Sequence, residues 1–125
     1  MVATSMIQRL ILLCQYPGFS RNLVGPYDNV GVIQGRIPGS SACQVFYPAA
    51  LNTKNSYFLP YFRPRAIPGV AGFGGLDPEV VQFLSWKRHP CKVDAPIVEE
   101  EFPVVFFPHG LGGCMEMYTD ICQQV

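Results

Sequence analysis

Apolar positions change their spacing several times along this 125-residue chain. Near the start, Met6, Ile7, Leu10, Leu13 and Cys14 recur at three- and four-residue steps, which is one face of a helix. Residues 30–37 (VGVIQGRI) show mixed alternation and read as a strand. Residues 42–47 (ACQVFY) read as a second strand, stopped by Pro48. Pro38, Gly39, Ser40 and Ser41 between them make a turn, so the pair predicts an antiparallel hairpin at the start of a sheet. Residues 51–75 break every period. Prolines recur every few positions there, which argues against a sustained helix or a central strand. The segment still carries Tyr57, Phe58, Leu59, Tyr61, Phe62 and Phe73. It either packs over its own core or caps an apolar pocket, and the sequence leaves both open.

The clearest helical pattern spans residues 76–89. Asp77 can cap it, Pro78 suits the first turn and Glu79 suits the positive end of the dipole. Val80, Val81, Phe83, Leu84 and Trp86 give an apolar face, and Pro90 marks the end. Residues 93–101 (VDAPIVEEE, preceded by Lys92) form an acidic connector whose three glutamates read as a solvated approach to a strand. Then Phe102, Pro103, Val104, Val105, Phe106 and Phe107 run without alternation, the pattern of a strand buried on both faces in a parallel sheet. Beyond the glycines at 110–113, Met117, Ile121 and Val125 fall four apart and predict a helix. Strand, glycine loop and helix make half of a βαβ unit, with a second parallel strand expected after it.

Composition narrows the classes. Hydrophobic residues make up 49% and charged residues only 14%, so the chain is not of the disordered type. Nine basic residues balance nine acidic ones, leaving no net field to steer the chain to nucleic acid. Charge at 14% is low beside the roughly 25% usual for globular chains. Part of the surface is therefore expected to be covered. The five cysteines (Cys14, Cys43, Cys91, Cys114 and Cys122) are odd in number and contain no C-x-x-C pair. That argues against a disulfide framework or a zinc site and for a reducing compartment. His89 and Cys91 flank Pro90, but two candidate ligands do not make a metal centre. No segment reaches the ~20 apolar residues of a membrane span. The short run at 10–14, preceded by Arg9, is a poor signal peptide; it packs on its own domain or lies on a lipid interface.

The segment FPHGLGG (residues 107–113) admits three readings. A nucleotide phosphate loop would need G-x-x-x-x-G-K-[ST] or G-x-G-x-x-G, and Gly110, Leu111, Gly112 and Gly113 match neither. A plain tight turn accounts for Gly112 and Gly113 but gives no reason for His109. An oxyanion loop accounts for all of it. An ester carbonyl gains negative charge as it is attacked, and a fixed backbone N–H stabilises that charge. Glycines let the backbone approach without a Cβ in the way. The donor is then the N–H of Leu111, with Gly110, Gly112 and Gly113 supporting the loop and His109 bracing it rather than acting as a base.

Phe102-Pro103-Val104-Val105-Phe106-Phe107, His109-Gly110-Leu111-Gly112, Tyr118 and Ile121-Cys122 together resemble the platelet-activating-factor acetylhydrolase family of lipases. Gly25-Pro26-Tyr27 with Val30-Gly31, and Phe46-Tyr47-Pro48, resemble earlier motifs of that family in the same order. Pro108 stands where the family has serine or another small residue, and Met115 near where it often has arginine. The resemblance covers residue 25 to the end. It implies an α/β-hydrolase fold, no cofactor and no metal. It also implies a serine esterase that cleaves the sn-2 acetyl or short acyl ester of platelet-activating factor and related phospholipids. Phospholipid is the expected partner, through contact with a lipid interface, and a cytoplasmic, membrane-associated location is the expectation; nucleic acid is not.

The nucleophile elbow of such enzymes reads G-x-S-x-G. None of Ser5, Ser20, Ser40, Ser41, Ser56 and Ser85 sits in that motif. The expectation is a helical segment at 1–24, then a partial α/β-hydrolase domain at 25–125. That domain would be an N-terminal part holding the hairpin, the capped helix, the third strand and the oxyanion loop, without the Ser-Asp-His triad. The competing expectation is a non-catalytic lipid- or protein-binding module that uses the aromatic segment 57–75 and the N-terminal helix as its surface.

Overall fold

A computed structural model describes residues 26–39, 42–50 and 56–124. The expected N-terminal helix, and Ser40 and Ser41 of the expected turn, lie outside the described residues. The chain divides into two compact units. Among the described residues, one unit comprises 60–88 and the other comprises 26–59 with 89–124.

The second unit is built on a mixed sheet. Strands β1 (Val30–Arg36) and β2 (Ala42–Pro48) pair antiparallel, with Val32 opposite Phe46 and Gln34 opposite Gln44. The expected hairpin is therefore present, and Gly39 at φ +74° turns it. Strand β3 is Tyr57–Pro60 and β4 is Arg88–Val93. The four strands lie in the order β2-β1-β4-β3. β1 and β4 run parallel, with Gly31 beside Lys92 and Val32 beside Val93. The chain then returns along the end of β2 through an antiparallel bridge between Ala49 and Ile97.

Alternation along β4 separates the faces: His89, Cys91 and Val93 are buried, while Pro90 is exposed. Val32, Leu59, Cys91 and Val93 form the core cluster, with Val30 and Phe46 packed against it. On the opposite face, the Tyr47 ring lies across Gly31, its partner in the register. A Cβ on Gly31 would stand 2.3 Å from Tyr47 Cε2, so any side chain there would force the ring to shift. The Tyr47 hydroxyl donates to the Ala95 carbonyl at 2.7 Å.

The 60–88 unit carries two corrections. The segment expected to hold no helix contains α1 (Ile67–Gly74). Its only proline, Pro68, sits in the first turn, where its missing N–H is not needed. The next proline is Pro78, so nine residues separate them. Gly75 in the left-handed region ends α1, with the Leu76 N–H bonded to the Ala71 carbonyl. The exclusion of a central strand stands, since β3 lies at the sheet edge.

The single helix expected over 76–89 is also shorter than its pattern. The Asp77 cap and Pro78 start are as expected, with Asp77 Oδ1 accepting from the Glu79 N–H at 2.9 Å. α2 covers only Pro78–Val81, followed by a 3-10 turn over Gln82–Ser85. Ser85 Oγ donates back to the Gln82 carbonyl at 2.8 Å, which favours termination. Arg88 Nη1 donates to the Ser85 and Lys87 carbonyls and satisfies the freed acceptors. Pro90 is not a helix stop but a residue of β4, outside the two register positions that pair with β1.

The expected third strand over residues 102–107 is the largest correction. These residues join no ladder among the described residues, and their side chains are not buried on both faces. Val104 is 76% exposed and Phe106 84%. Pro103 and Pro108 favour extended conformations at the residues before them, Phe102 and Phe107, but the run pairs with no strand among the described residues. Aromatic contacts pin its ends: Tyr27 meets Phe102 edge-on at 5.7 Å, and Phe107 meets Tyr118 at 5.2 Å. Among the described residues, β1 and β4 form a parallel pair, and the run at 102–107 takes no part in it. The helix expected after the glycines is a 3-10 turn over Met115–Tyr118 continuing into α3 (Thr119–Cys122).

Candidate functional site

The glycine loop forms a tight turn. The Gly113 N–H donates to the Gly110 carbonyl at 3.0 Å. Gly112, at the third position of that turn, has φ +76°. A positive φ there is the requirement of a type II turn, which glycine meets without strain. Leu111 occupies the second position with its side chain fully exposed. Among the described residues, no hydrogen bond engages the Leu111 N–H. The donor therefore remains open to an acceptor from outside.

Two contacts hold the turn. His109 Nδ1 lies 3.1 Å from the Gly110 carbonyl. A carbonyl only accepts, so this contact is a hydrogen bond in the ring form that carries a proton on Nδ1, and the Gly110 oxygen then serves both the ring and the turn. Gly113 faces Tyr118: a Cβ built there would stand 3.1 Å from Tyr118 Cε2 and 3.2 Å from the Gly110 oxygen. His109, Gly110, Leu111, Gly112 and Gly113 thus lie in one exposed loop, footed on the turn and helix at 115–122.

That helical segment docks on the sheet through polar contacts that the periodicity did not reveal. On the covered face of the sheet, Gln34, Gln44 and His89 stand beyond the apolar cluster. Thr119 Oγ1 approaches Gln44 Oε1 at 3.4 Å. His89, only 1% exposed, places Nδ1 3.0 Å from Asp120 Oδ1. This pair links β4 to α3. The alternation His89, Cys91, Val93 was the signal that would have put His89 on the inner face; nothing in the sequence pointed to Asp120.

Cys91 sits beside this pair without being a nucleophile. Burial, with the Asp120 carboxylate adding to it, pushes the Cys91 thiol up to about 12. A protonated, inaccessible thiol neither attacks nor binds metal. Burial likewise raises Cys114 and Cys122. Of the serines, Ser85 is buried and bonded within its own turn, while Ser5, Ser20, Ser40 and Ser41 lie outside the described residues. Among the described residues, no group of three His, Cys, Asp or Glu side chains is arranged to hold a metal ion. Among them too, no helix is long and apolar enough to cross a membrane.

The aromatic segment divides between surface and core. Phe58 is exposed on the sheet unit, with Lys92 Nζ 5.4 Å from its ring centroid. Phe62 is buried in the 60–88 unit, so it forms no part of a lipid-facing surface. The exposed aromatics of that unit are Phe73 and Trp86.

No curated protein and no solved structure matched the chain. The sequence profile described as platelet-activating factor acetylhydrolase, isoform II matches residues 21–125. With a mixed four-stranded sheet, three helices and that match over most of its length, the chain belongs to the platelet-activating factor acetylhydrolase, isoform II family, whose α/β-hydrolase fold serves lipid-ester hydrolysis.

Proposed function

We propose that this chain is the N-terminal part of a serine esterase and supplies its oxyanion loop. The substrate would be the sn-2 acetyl or short acyl ester of platelet-activating factor and related phospholipids. The observation that carries this reading is the turn at 110–113, which presents the Leu111 N–H with no acceptor among the described residues. Attack on the ester carbonyl would create an oxyanion, and the Leu111 N–H would stabilise it at about 2.7–3.1 Å. A second N–H and the activated serine would come from a G-x-S-x-G elbow, which these residues do not contain. His109 would brace the loop through Gly110, whose carbonyl lies 3.1 Å from Nδ1.

The test is hydrolysis of a 2-acetyl and a 2-palmitoyl phospholipid by two proteins. One is this chain alone. The other joins it to a polypeptide carrying the elbow, acid and histidine. The proposal expects turnover of the acetyl substrate by the joined protein only. Turnover by the chain alone, blocked by a serine-directed phosphonate, would contradict it.

A second reading, a non-catalytic lipid-binding module, is favoured by the exposure of Phe73 and Trp86. Co-sedimentation with liposomes tests it. Loss of binding in Phe73→Ser and Trp86→Ser, with no hydrolysis by the joined protein, would replace the esterase reading. Phe62→Ser is not a usable control, because it would empty a core position.

A further inference from the structure

We infer that Tyr118 is the residue that sets the conformation of the 110–113 turn. Its ring contacts two groups of the loop. One is the Phe107 ring, at 5.2 Å between centroids and tilted by 49°. The other is the bare Cα of Gly113, close enough that an added Cβ would meet Tyr118 Cε2 at 3.1 Å and the Tyr118 hydroxyl at 3.2 Å. The ring therefore bridges the residue before Pro108 and the last residue of the turn, across an otherwise exposed loop. Gly110 shows no such crowding, since a Cβ there would meet nothing within 4 Å. The crowding at Gly113 comes from the Tyr118 ring and from the Gly110 oxygen, which an added Cβ would also meet at 3.2 Å.

Tyr118 can do this because its own backbone is fixed. It closes the 3-10 turn over Met115–Tyr118, whose Met117 N–H donates to the Cys114 carbonyl at 3.2 Å. The next two residues, Thr119 and Asp120, contact Gln44 and His89 of the sheet. Position is thus passed from sheet to helix, from helix to the Tyr118 ring, and from the ring to Gly113. Tyr118 is a positioning residue. The catalytic consequence rests on the reading of Leu111 as oxyanion donor; the wedge itself does not.

The experiment is NMR on the isotope-labelled chain, comparing Tyr118→Phe, Tyr118→Ala and Gly113→Ala. Tyr118→Phe keeps the ring and should leave the amide shifts and order of 110–113 unchanged. Tyr118→Ala should drop the order parameters of Leu111, Gly112 and Gly113 from rigid values near ~0.85 to below ~0.6, with β1 and β2 amides unmoved. Gly113→Ala should shift the Tyr118 and Phe107 ring resonances, and it decides the matter if Tyr118→Ala fails to fold. Loop amides indifferent to Tyr118→Ala, or ring resonances indifferent to Gly113→Ala, would overturn the inference. A loop that loosens as expected, in a protein whose turnover is insensitive to removal of the Leu111 N–H, would keep the wedge and refute the oxyanion reading instead.

Discussion

Strands β1, β2 and β4 and the run at 102–107 all carry valines, yet only the strands pair and contribute to a buried core. In β1, Val32 is fully buried because its neighbours on both sides are paired and its face meets Leu59, Cys91 and Val93. Val104, Val105, Phe106 and Phe107 are more apolar as a string and are exposed. The difference is pairing. An extended segment gains burial only when its backbone groups are satisfied and a second layer covers it. Residues 102–107 have neither among the described residues, and only the aromatic contacts at their two ends hold them in place.

This contrast breaks most sharply at Leu59 and Phe106. Leu59→Ala should cost about 2–5 kcal/mol, the range for emptying a packed leucine site. Phe106→Ala should fall within about 0.5 kcal/mol, as for an exposed side chain. Chemical denaturation of both variants measures it, and equal losses would show that residues 102–107 are buried after all.

Gly31→Ala comes next. The methyl group would run into the Tyr47 ring, and overpacking of this kind costs about 1–3 kcal/mol. The double variant Gly31→Ala with Tyr47→Ala should lose less than the sum of the two single changes, because the clash is gone.

Alkaline pH probes the core face of the sheet more gently. The Cys91 thiol ionises near 9.0 when unfolded and at about 12 when folded. Between those values the unfolded chain binds fewer protons, so stability falls as pH rises, by up to about 1.4 kcal/mol per pH unit. Below pH 9 this group contributes no slope. Tyr47, Cys114 and Cys122 are also raised by burial and act in the same direction. Cys91→Ala should flatten part of the alkaline limb in a pH series of melts. An unchanged limb would place Cys91 in contact with solvent.

The smallest effect is on the exposed run. Phe106→Lys should leave the melting midpoint nearly unchanged while reducing self-association, since it places charge within an exposed apolar run. Light scattering at matched concentration reads this directly.

How much of this was written in the sequence depends on how local each cause is. The hairpin was legible because alternation and the turn at Pro38 and Gly39 sit within a few residues of each other. The Asp77 cap was legible for the same reason. Helix α1 was missed because prolines were weighed by number, whereas Pro68 acts only through its position in the first turn. The 76–89 helix was overextended because its apolar pattern runs on past Ser85 and Arg88, whose hydrogen bonds end it. The fate of residues 102–107 hinges on partners elsewhere, which no local pattern encodes. In the loop, the glycines and His109 were legible as a unit, and so was the family. The His89 to Asp120 link was not, because 31 positions separate two residues whose meeting depends on the sheet.

The central claim concerns one backbone hydrogen. Leu111 holds the second position of its turn, where proline is well accepted, so Leu111→Pro deletes the N–H while keeping the turn. The decisive measurement is kcat for 2-acetyl phospholipid in the joined, nucleophile-bearing protein, comparing Leu111→Pro with Leu111→Ala. The account predicts a loss on the order of 10²–10³ for proline and little change for alanine. Equal activity in the two variants would contradict it.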